Sequence, residues 1–211
     1  RYAKDYLEVK TVGSATSTAR PQDRTDVARF YASVSPSHLL NMAARQLSMV
    51  RGDSLSENAW ALALLNMAVS DALVVSFATK YTHVLWRPVT AIRAGDSDGN
   101  PRTEGDPSFT PMITTPCFPA YPSNHASGTT SGLEVLRRVY GSAGHSLLLS
   151  SAGGLTRPPY SSLKQIADDV DDARVYAGIH FRFDQEAGGR LGREVATYVY
   201  KHNLRKLDAS E

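Results

Sequence analysis

Three cationic side chains stand at spacings that could bring them to one anion. Lys80 and Arg87 are seven residues apart, which is two helical turns, so both can point to the same side of a helix. Arg174 lies in another helical pattern, whose apolar positions should face the core. A single Lys or Arg is usually a solvated surface residue. Because each of the three stands beside a second polar signal, the sequence predicts a shared oxyanion site.

The second signal is residues 121–125, where a proline-rich segment leads into a predicted helix. Ser123 is placed at the N-cap, and the free N–H groups and dipole of a helix N-terminus favour an anion. Taken alone, Ser123 would be a plain N-cap and His125 a satisfied core histidine. Next to the cations, both are candidate ligands.

The third signal is His180, six residues after Arg174 and four before Asp184. A carboxylate at that spacing can hold one ring nitrogen and leave the other unprotonated, as a nucleophile or a metal ligand. Asp184 could also cap the last helix, and the two roles are compatible.

Composition favours one well-buried domain and excludes several classes of partner. The chain has 211 residues, 42% hydrophobic and 21% charged, with a net charge of +2 and no basic run, so we expect no nucleic-acid partner. Cys117 is the single cysteine, so there is no internal disulfide framework. The apolar stretch 59–77 carries Asp71, which is costly in a membrane. We read the stretch as a core helix and expect no membrane partner; no compartment is indicated.

Helical periodicity and capping residues predict an all-α fold. Helices are expected from Ser35 to Gly52, from Ser54 to about Trp86, and over residues 123–141, 162–180 and 184–204. No segment alternates as a strand does, so no sheet is expected. Residues 94–122 contain six prolines and form one long loop of the kind that carries function. Residues 1–25 lack periodicity and are predicted to be an extended arm, followed by a single helical domain over 26–211.

The order and spacing of these motifs resemble a known superfamily, which joins type 2 phosphatidic-acid phosphatases, bacterial acid phosphatases and vanadium-dependent haloperoxidases. The resemblance covers roughly residues 60–200. It is carried by Lys80-x6-Arg87-Pro88, Pro122-Ser123-Asn124-His125 and Arg174-x5-His180-x3-Asp184. The segments 86–88, 118–123 and 178–184 look most like the haloperoxidase branch. The implied fold is a helical bundle of the vanadium haloperoxidase/acid phosphatase type with one long active-site loop.

The resemblance also implies a role for each residue. His180, oriented by Asp184, would bond vanadium or attack phosphorus, and His125 would be the acid–base group on the opposite side. The equatorial oxygens of vanadate or phosphate would be held by Lys80, Arg87, Ser123, the Asn124 N–H and Arg174. Lys80 would in addition polarise bound peroxide, and Phe77 and Phe118 match aromatic positions of the halide site.

Two positions depart from the pattern. Asn124 stands where glycine is usual, so its side chain is expected to crowd the oxyanion loop. Ala173 replaces the serine before Arg174. Among the other histidines, His83 is a weaker candidate for a supporting role because it lies one turn from Lys80 and Arg87. Three more are expected on helix surfaces or loops: His38, His145 and His202.

The expected function is halide oxidation by hydrogen peroxide at a histidine-bound vanadate. Two alternatives stay open: a soluble acid phosphatase that hydrolyses phosphomonoesters through a phosphohistidine, and a non-catalytic phosphate-binding module. A serine hydrolase lacks its Gly-x-Ser-x-Gly elbow, and a zinc site lacks a third ligand at a usual spacing. Family members commonly have two bundles. If only one is present, an apolar face would be left open, which a homodimer would cover.

Overall fold

Helices make up most of the structure, which is a computed structural model and describes residues 1–205. A 3₁₀ turn lies at Gly95–Ser97. The elements are, in chain order, α1 Tyr2–Val12, α2 Gln22–Ala32, α3 Pro36–Arg51, α4 Leu55–His83, α5 Pro88–Arg93, α6 Asn124–Tyr140, β1 Ala143–Leu147, β2 Tyr160–Ser162, α7 Leu163–Tyr176 and α8 Arg182–His202.

The predicted capping signals set several helix ends. The Ser54 hydroxyl accepts the Glu57 N–H while the Glu57 carboxylate accepts the Ser54 N–H, a reciprocal capping box that begins α4. Ser162 begins α7 in the same way with Gln165. Gly52 ends α3 in the left-handed conformation, with φ 74°, which favours glycine. The helices expected near residues 35–52, 54–86, 123–141 and 184–204 are all present.

Helix α6 is the centre of the bundle and packs against α3, α4, α7 and α8. Nearly all of its residues from Asn124 to Leu136 are buried, and many of them are small. Small side chains let neighbouring helices approach closely, so the start of α6 lies near the start of α8 and the inner face of α4. The helical-bundle fold class is therefore confirmed.

The prediction that residues 1–25 form an extended arm is wrong. Residues 2–12 are helical, and α1 buries Tyr6 and Val9 against Ile92 and Phe181 in a small apolar cluster. The segment after α1 also pairs with the long loop, where the Met112 N–H donates to the Gly13 carbonyl at 3.0 Å. Tertiary contacts of this kind, more than helix propensity, stabilise a short helix.

Two further expectations need correction. A small antiparallel sheet is present, with β1 paired to β2, although it consists of one short pair between α6 and α7. Helix α7 ends at Tyr176, short of the predicted His180, because Gly178 adopts φ +79° and turns the chain out of the helix. This turn places His180 at the bend between α7 and α8.

Helix α4 combines a buried face with an exposed apolar face. The segment Leu55–Arg93, which includes α4, is long and apolar enough to cross a membrane by length and hydropathy alone, and 39% of its most apolar window is buried. Its inner face contains Leu64, Leu65 and Ala68, and it ends in the fully buried Lys80. The helix thus brings a charged group into the interior of the bundle.

Candidate active site

The three cations of the motif are buried in the same region. Lys80 is 0%, Arg174 5% and Arg87 6% exposed. They come from the end of α4, the last turn of α7 and the residue before α5. Within residues 1–205 none of the three forms an ion pair with a carboxylate. Buried charges are ordinarily paired, so this cluster carries an excess of positive charge.

Two of the cations fix the proline-rich loop. Lys80 Nζ donates to the carbonyls of Pro119 and Ala120, both at 2.8 Å. Arg87 Nε donates to the Phe118 carbonyl at 2.7 Å. These bonds fasten the end of the long loop to α4 just before the loop enters α6, and so position the oxyanion motif relative to the cations.

Two guanidinium nitrogens are buried without an acceptor. Arg87 Nη2 and Arg174 Nε have no hydrogen-bond partner in the part of the chain that the structure describes. A buried donor left unsatisfied costs about 1–3 kcal/mol, and more when it is charged. An oxyanion would satisfy both groups, because it supplies hydrogen-bond acceptors and negative charge.

The hydrogen bonds around His180 define its tautomer. Arg87 Nη1 lies 2.9 Å from His180 Nε2, and because arginine has no acceptor, Nε2 must accept. His180 Nδ1 therefore carries the proton and donates to Asp184 Oδ2 at 3.0 Å. Asp184 Oδ2 also accepts the Phe181 N–H at 3.0 Å. The unprotonated Nε2 of the imidazole thus faces Arg87, and the protonated Nδ1 on the other side of the ring is bonded to Asp184.

Burial and the excess of positive charge shift the pKa values of the cluster. The pKa of Lys80 falls to about 7 through burial and the neighbouring Arg87, and burial lowers that of Arg174 to about 9. Burial, Arg87 and Lys80 hold the pKa of His180 well below its ordinary value. Burial raises the pKa of Asp184 to about 7. Each shift favours the neutral form of its group in the buried site. A bound anion would raise the pKa values of the cations again.

The N-terminus of α6 brings Ser123, Asn124 and His125 to the same place. The Ser123 hydroxyl oxygen caps the helix by accepting the Ala126 N–H at 3.3 Å, which leaves the hydroxyl hydrogen free to donate. The Ser123 N–H donates to the Asp184 carbonyl at 3.0 Å, so the motif is joined to α8. Burial, Arg174 and the other cations lower the pKa of His125 well below its ordinary value. His125 is therefore neutral and can accept a proton.

The Asn124 side chain does not crowd the oxyanion loop as expected. Its amide oxygen accepts a hydrogen bond of 2.6 Å from the Ser76 hydroxyl on α4. The side chain is 8% exposed and lies against that helix. The sequence did not single out Ser76; its place on the helical face of Lys80, one turn earlier, was the available signal.

The two aromatic candidates for a halide site meet beside the cations. The rings of Phe77 and Phe118 pack edge to face with centroids 5.3 Å apart. Arg87 Cζ lies 4.9 Å and Lys80 Nζ 5.2 Å from the Phe118 ring centroid. Phe77 is 38% exposed, so this side of the cluster reaches the surface.

The remaining histidines lie outside the cluster. His83 is exposed and packs edge-on against Tyr121, with ring centroids 5.6 Å apart. His38 and His202 are exposed, and His145 is half-buried in β1. Within the described chain, no group of three or more His, Cys, Asp or Glu side chains could hold a metal ion. The site combines two imidazoles, His125 and His180, with three cations, and this set suits an oxyanion.

Fold and site together define a helical bundle with a buried cluster of cations and histidines, and comparison with known proteins identifies its family. The family model described as the VCPO second helical-bundle domain matches residues 61–209. The chain belongs to this family.

Individual relatives agree with the family assignment. Vanadium chloroperoxidase from Curvularia inaequalis is 28% identical over 172 residues, covering 59% of this chain and 28% of that protein. The crystal structure of the first bacterial vanadium-dependent iodoperoxidase matches 94% of this chain, with a TM-score of 0.78 and 25% identity. A holo-type bacterial vanadium-dependent chloroperoxidase shares the fold at a TM-score of 0.74 and 14% identity, over 95% of this chain.

These relatives are longer than this chain, so the comparison covers only part of each of them. The chain spans 48% of the iodoperoxidase chain and 47% of the chloroperoxidase chain, and a smaller share of the curated relative. The resemblance to vanadium haloperoxidases and the helical fold are confirmed, whereas the activity of the whole relatives is not thereby established for this chain.

Proposed function

We propose that this protein is a vanadate-dependent haloperoxidase, which oxidises halide with hydrogen peroxide. The observation that carries the proposal is a pair of buried guanidinium nitrogens, Arg87 Nη2 and Arg174 Nε, that have no partner within residues 1–205. The unprotonated Nε2 of His180 lies 2.9 Å from Nη1 of the same Arg87. Membership of a family named for vanadium chloroperoxidase supports vanadate as the anion.

The residues of the cluster fit this anion. His180 Nε2 would be the protein ligand of vanadium in place of its hydrogen bond from Arg87 Nη1, with its tautomer fixed by Asp184. Charge on the oxygens would be neutralised by Lys80, Arg87 and Arg174, and the last two would gain acceptors for their free N–H groups. The Ser123 hydroxyl and the Asn124 N–H at the start of α6 would supply neutral donors. Bound vanadate supplies Lewis acidity that activates peroxide while the metal stays oxidised.

The chemistry of the protein residues follows from their protonation. Hydrogen peroxide, halide and one proton give hypohalous acid and water, so the halide loses the two electrons that peroxide gains. His125, neutral because its pKa is lowered, can take a proton from peroxide as it binds and return it to the departing oxygen. Lys80 supplies positive charge next to the Phe118 ring, on the side from which halide would approach.

A paired assay tests the proposal. Purified protein would be titrated with vanadate and assayed for iodide and bromide oxidation by peroxide, and the vanadate-free protein for phosphomonoester hydrolysis. We expect halide oxidation that saturates with vanadate and is lost in His180→Ala. The matched control is His202→Ala, at the exposed end of α8.

Each other outcome points to a different function. Phosphomonoester hydrolysis without halide oxidation at any vanadate concentration would replace the proposal with a phosphatase that uses His180 as nucleophile. Tight phosphate binding without either reaction would leave a non-catalytic binding module. Absence of binding to both anions would exclude all three functions.

A further inference from the structure

A buried hydrogen bond joins α4 to the first residue of α6. Ser76 is 0% exposed, and its hydroxyl donates to the amide oxygen of Asn124 at 2.6 Å. The neighbouring Ser127 hydroxyl is 3.4 Å from that of Ser76, but it lies closer, 2.9 Å, to the Ser123 carbonyl. The single hydroxyl hydrogen of Ser76 is therefore committed to Asn124.

This bond acts on the residue whose backbone N–H the proposed function assigns to the anion. Asn124 is the first residue of α6, so its N–H has no acceptor within the helix. On one side the motif is held by the Ser123 N–H, which donates to the Asp184 carbonyl. On the other side it is held by Ser76, one turn before Lys80 on α4. The oxyanion motif is thus fixed to both helices that carry ligand-orienting groups.

We propose that Ser76 is a positioning residue, which holds the Asn124 side chain on α4 and so keeps the Asn124 N–H aimed at the oxyanion. The inference rests on the proposed function, because it assigns that N–H to anion binding. Without the Ser76 hydroxyl, the amide of Asn124 loses its partner. Its oxygen, an acceptor, is then free to turn to the unsatisfied donors of Arg87 and Arg174 and to compete with the anion.

A double-mutant cycle isolates this role, because Asn124→Gly removes the side chain that Ser76 holds. Vanadate and, separately, inorganic phosphate would be titrated by calorimetry into the wild type, Ser76→Ala, Asn124→Gly and the double variant. We expect Ser76→Ala to weaken vanadate binding about tenfold when Asn124 is present. In the Asn124→Gly background the same change should alter affinity less than about twofold.

The matched control is Ser131→Ala on α6. Ser131 is also fully buried, and its hydroxyl donates at 2.9 Å to the Gly128 carbonyl, two turns away from the oxyanion motif. Loss of this hydroxyl should leave vanadate affinity unchanged. A Ser76→Cys variant, with a similar size and a weaker donor, should bind with intermediate affinity and provides the measurement if Ser76→Ala does not fold.

The outcomes separate the two proposals. A wild-type protein that binds neither vanadate nor phosphate contradicts the proposed function itself. Wild-type binding combined with an equal effect of Ser76→Ala in both backgrounds, or with no effect in either, overturns the role of Ser76 and leaves the proposed function standing.

Discussion

At the scale of single residues, the site is governed by an imbalance of charge. Three buried cations share the space with one carboxylate, Asp184, which already accepts hydrogen bonds from His180 and the Phe181 backbone. Burial lowers the pKa values of Lys80, Arg87 and Arg174, and the charge of Arg87 lowers those of Lys80 and Arg174 further. Such a cluster destabilises the free protein and favours the binding of an anion. Replacing one of the cations should therefore raise the stability of the free protein and lower its affinity for the anion.

Arg174→Met should show this opposition. Replacing a buried charge that lacks a partner by an apolar side chain of similar length should stabilise the free protein by about 1–3 kcal/mol. It should also weaken vanadate binding at least a hundredfold, because a guanidinium donor to the anion is lost. Urea unfolding and calorimetric titration measure the two effects, and Arg190→Met, at an exposed position of α8, is the control. Unchanged vanadate affinity in Arg174→Met would remove this residue from the site.

Lys80 should give the free protein a pH-dependent stability. Its pKa falls from 10.5 to about 7 on folding, so between these pH values the unfolded chain holds one more proton than the folded one. The contribution of Lys80 to the free energy of unfolding therefore rises with pH across this window, by up to about 1.4 kcal/mol per pH unit. The raised pKa of Asp184, about 7, acts in the opposite sense but at lower pH.

Urea unfolding of the wild type and Lys80→Met between pH 7 and pH 10 measures this contribution. We expect the difference in free energy of unfolding, wild type minus variant, to increase with pH. Saturating phosphate or vanadate should flatten that increase by raising the pKa of Lys80. Lys201→Met controls for loss of an exposed lysine. Parallel curves for wild type and Lys80→Met without anion would show that Lys80 is not buried as a titrating group.

At the scale of the elements, two glycines of α8 set the distance to α6. A Cβ at Gly188 would lie 2.5 Å from the Ser123 carbonyl oxygen, and one at Gly192 would lie 2.3 Å from that of Ser127. Both atoms belong to backbone that cannot move aside easily. This contact brings the start of α6, with Ser123, against the start of α8, with Asp184.

Gly192→Ala and Gly189→Ala should therefore have opposite effects. The first forces α8 away from α6 and should destabilise the protein by about 1–3 kcal/mol or more. The second adds a Cβ that meets side-chain atoms at no less than 3.5 Å, so it should stabilise the helix by about 0.5–1 kcal/mol. Thermal and urea unfolding of both variants measure the contrast. Equal destabilisation by the two would indicate a general intolerance of α8 and not a specific contact.

Sequence patterns predicted the elements where local chemistry determines them. Capping residues such as Ser54 and Ser162 set helix starts within a residue or two, and the order of the motifs identified the residues that the structure brings together. Helix α1 was missed because Tyr6 and Val9 become a buried face only through contacts with distant segments. The orientation of the Asn124 side chain was missed for a similar reason, since its partner Ser76 is 48 residues away.

At the scale of the whole molecule, one face of the bundle is open. Helix α4 exposes a line of apolar side chains towards its C-terminal end, with Val74 66%, Tyr81 63% and Val84 65% exposed. Val74 and Tyr81 are seven residues apart and share a helical face. Exposed apolar surface of this extent commonly marks an interface. The partly exposed Phe77 lies in the same line, so whatever covers this face also borders the aromatic side of the site.

We expect the face to be covered by a second copy of the chain. A two-fold contact would place α4 against its symmetry mate, so sedimentation equilibrium should give about twice the 22.9 kDa of the single chain. Val74→Lys combined with Tyr81→Lys should give a folded monomer, whereas Tyr198→Lys, equally exposed on α8, should not. A wild-type monomer at every concentration tested would show that the α4 face is not a self-association surface.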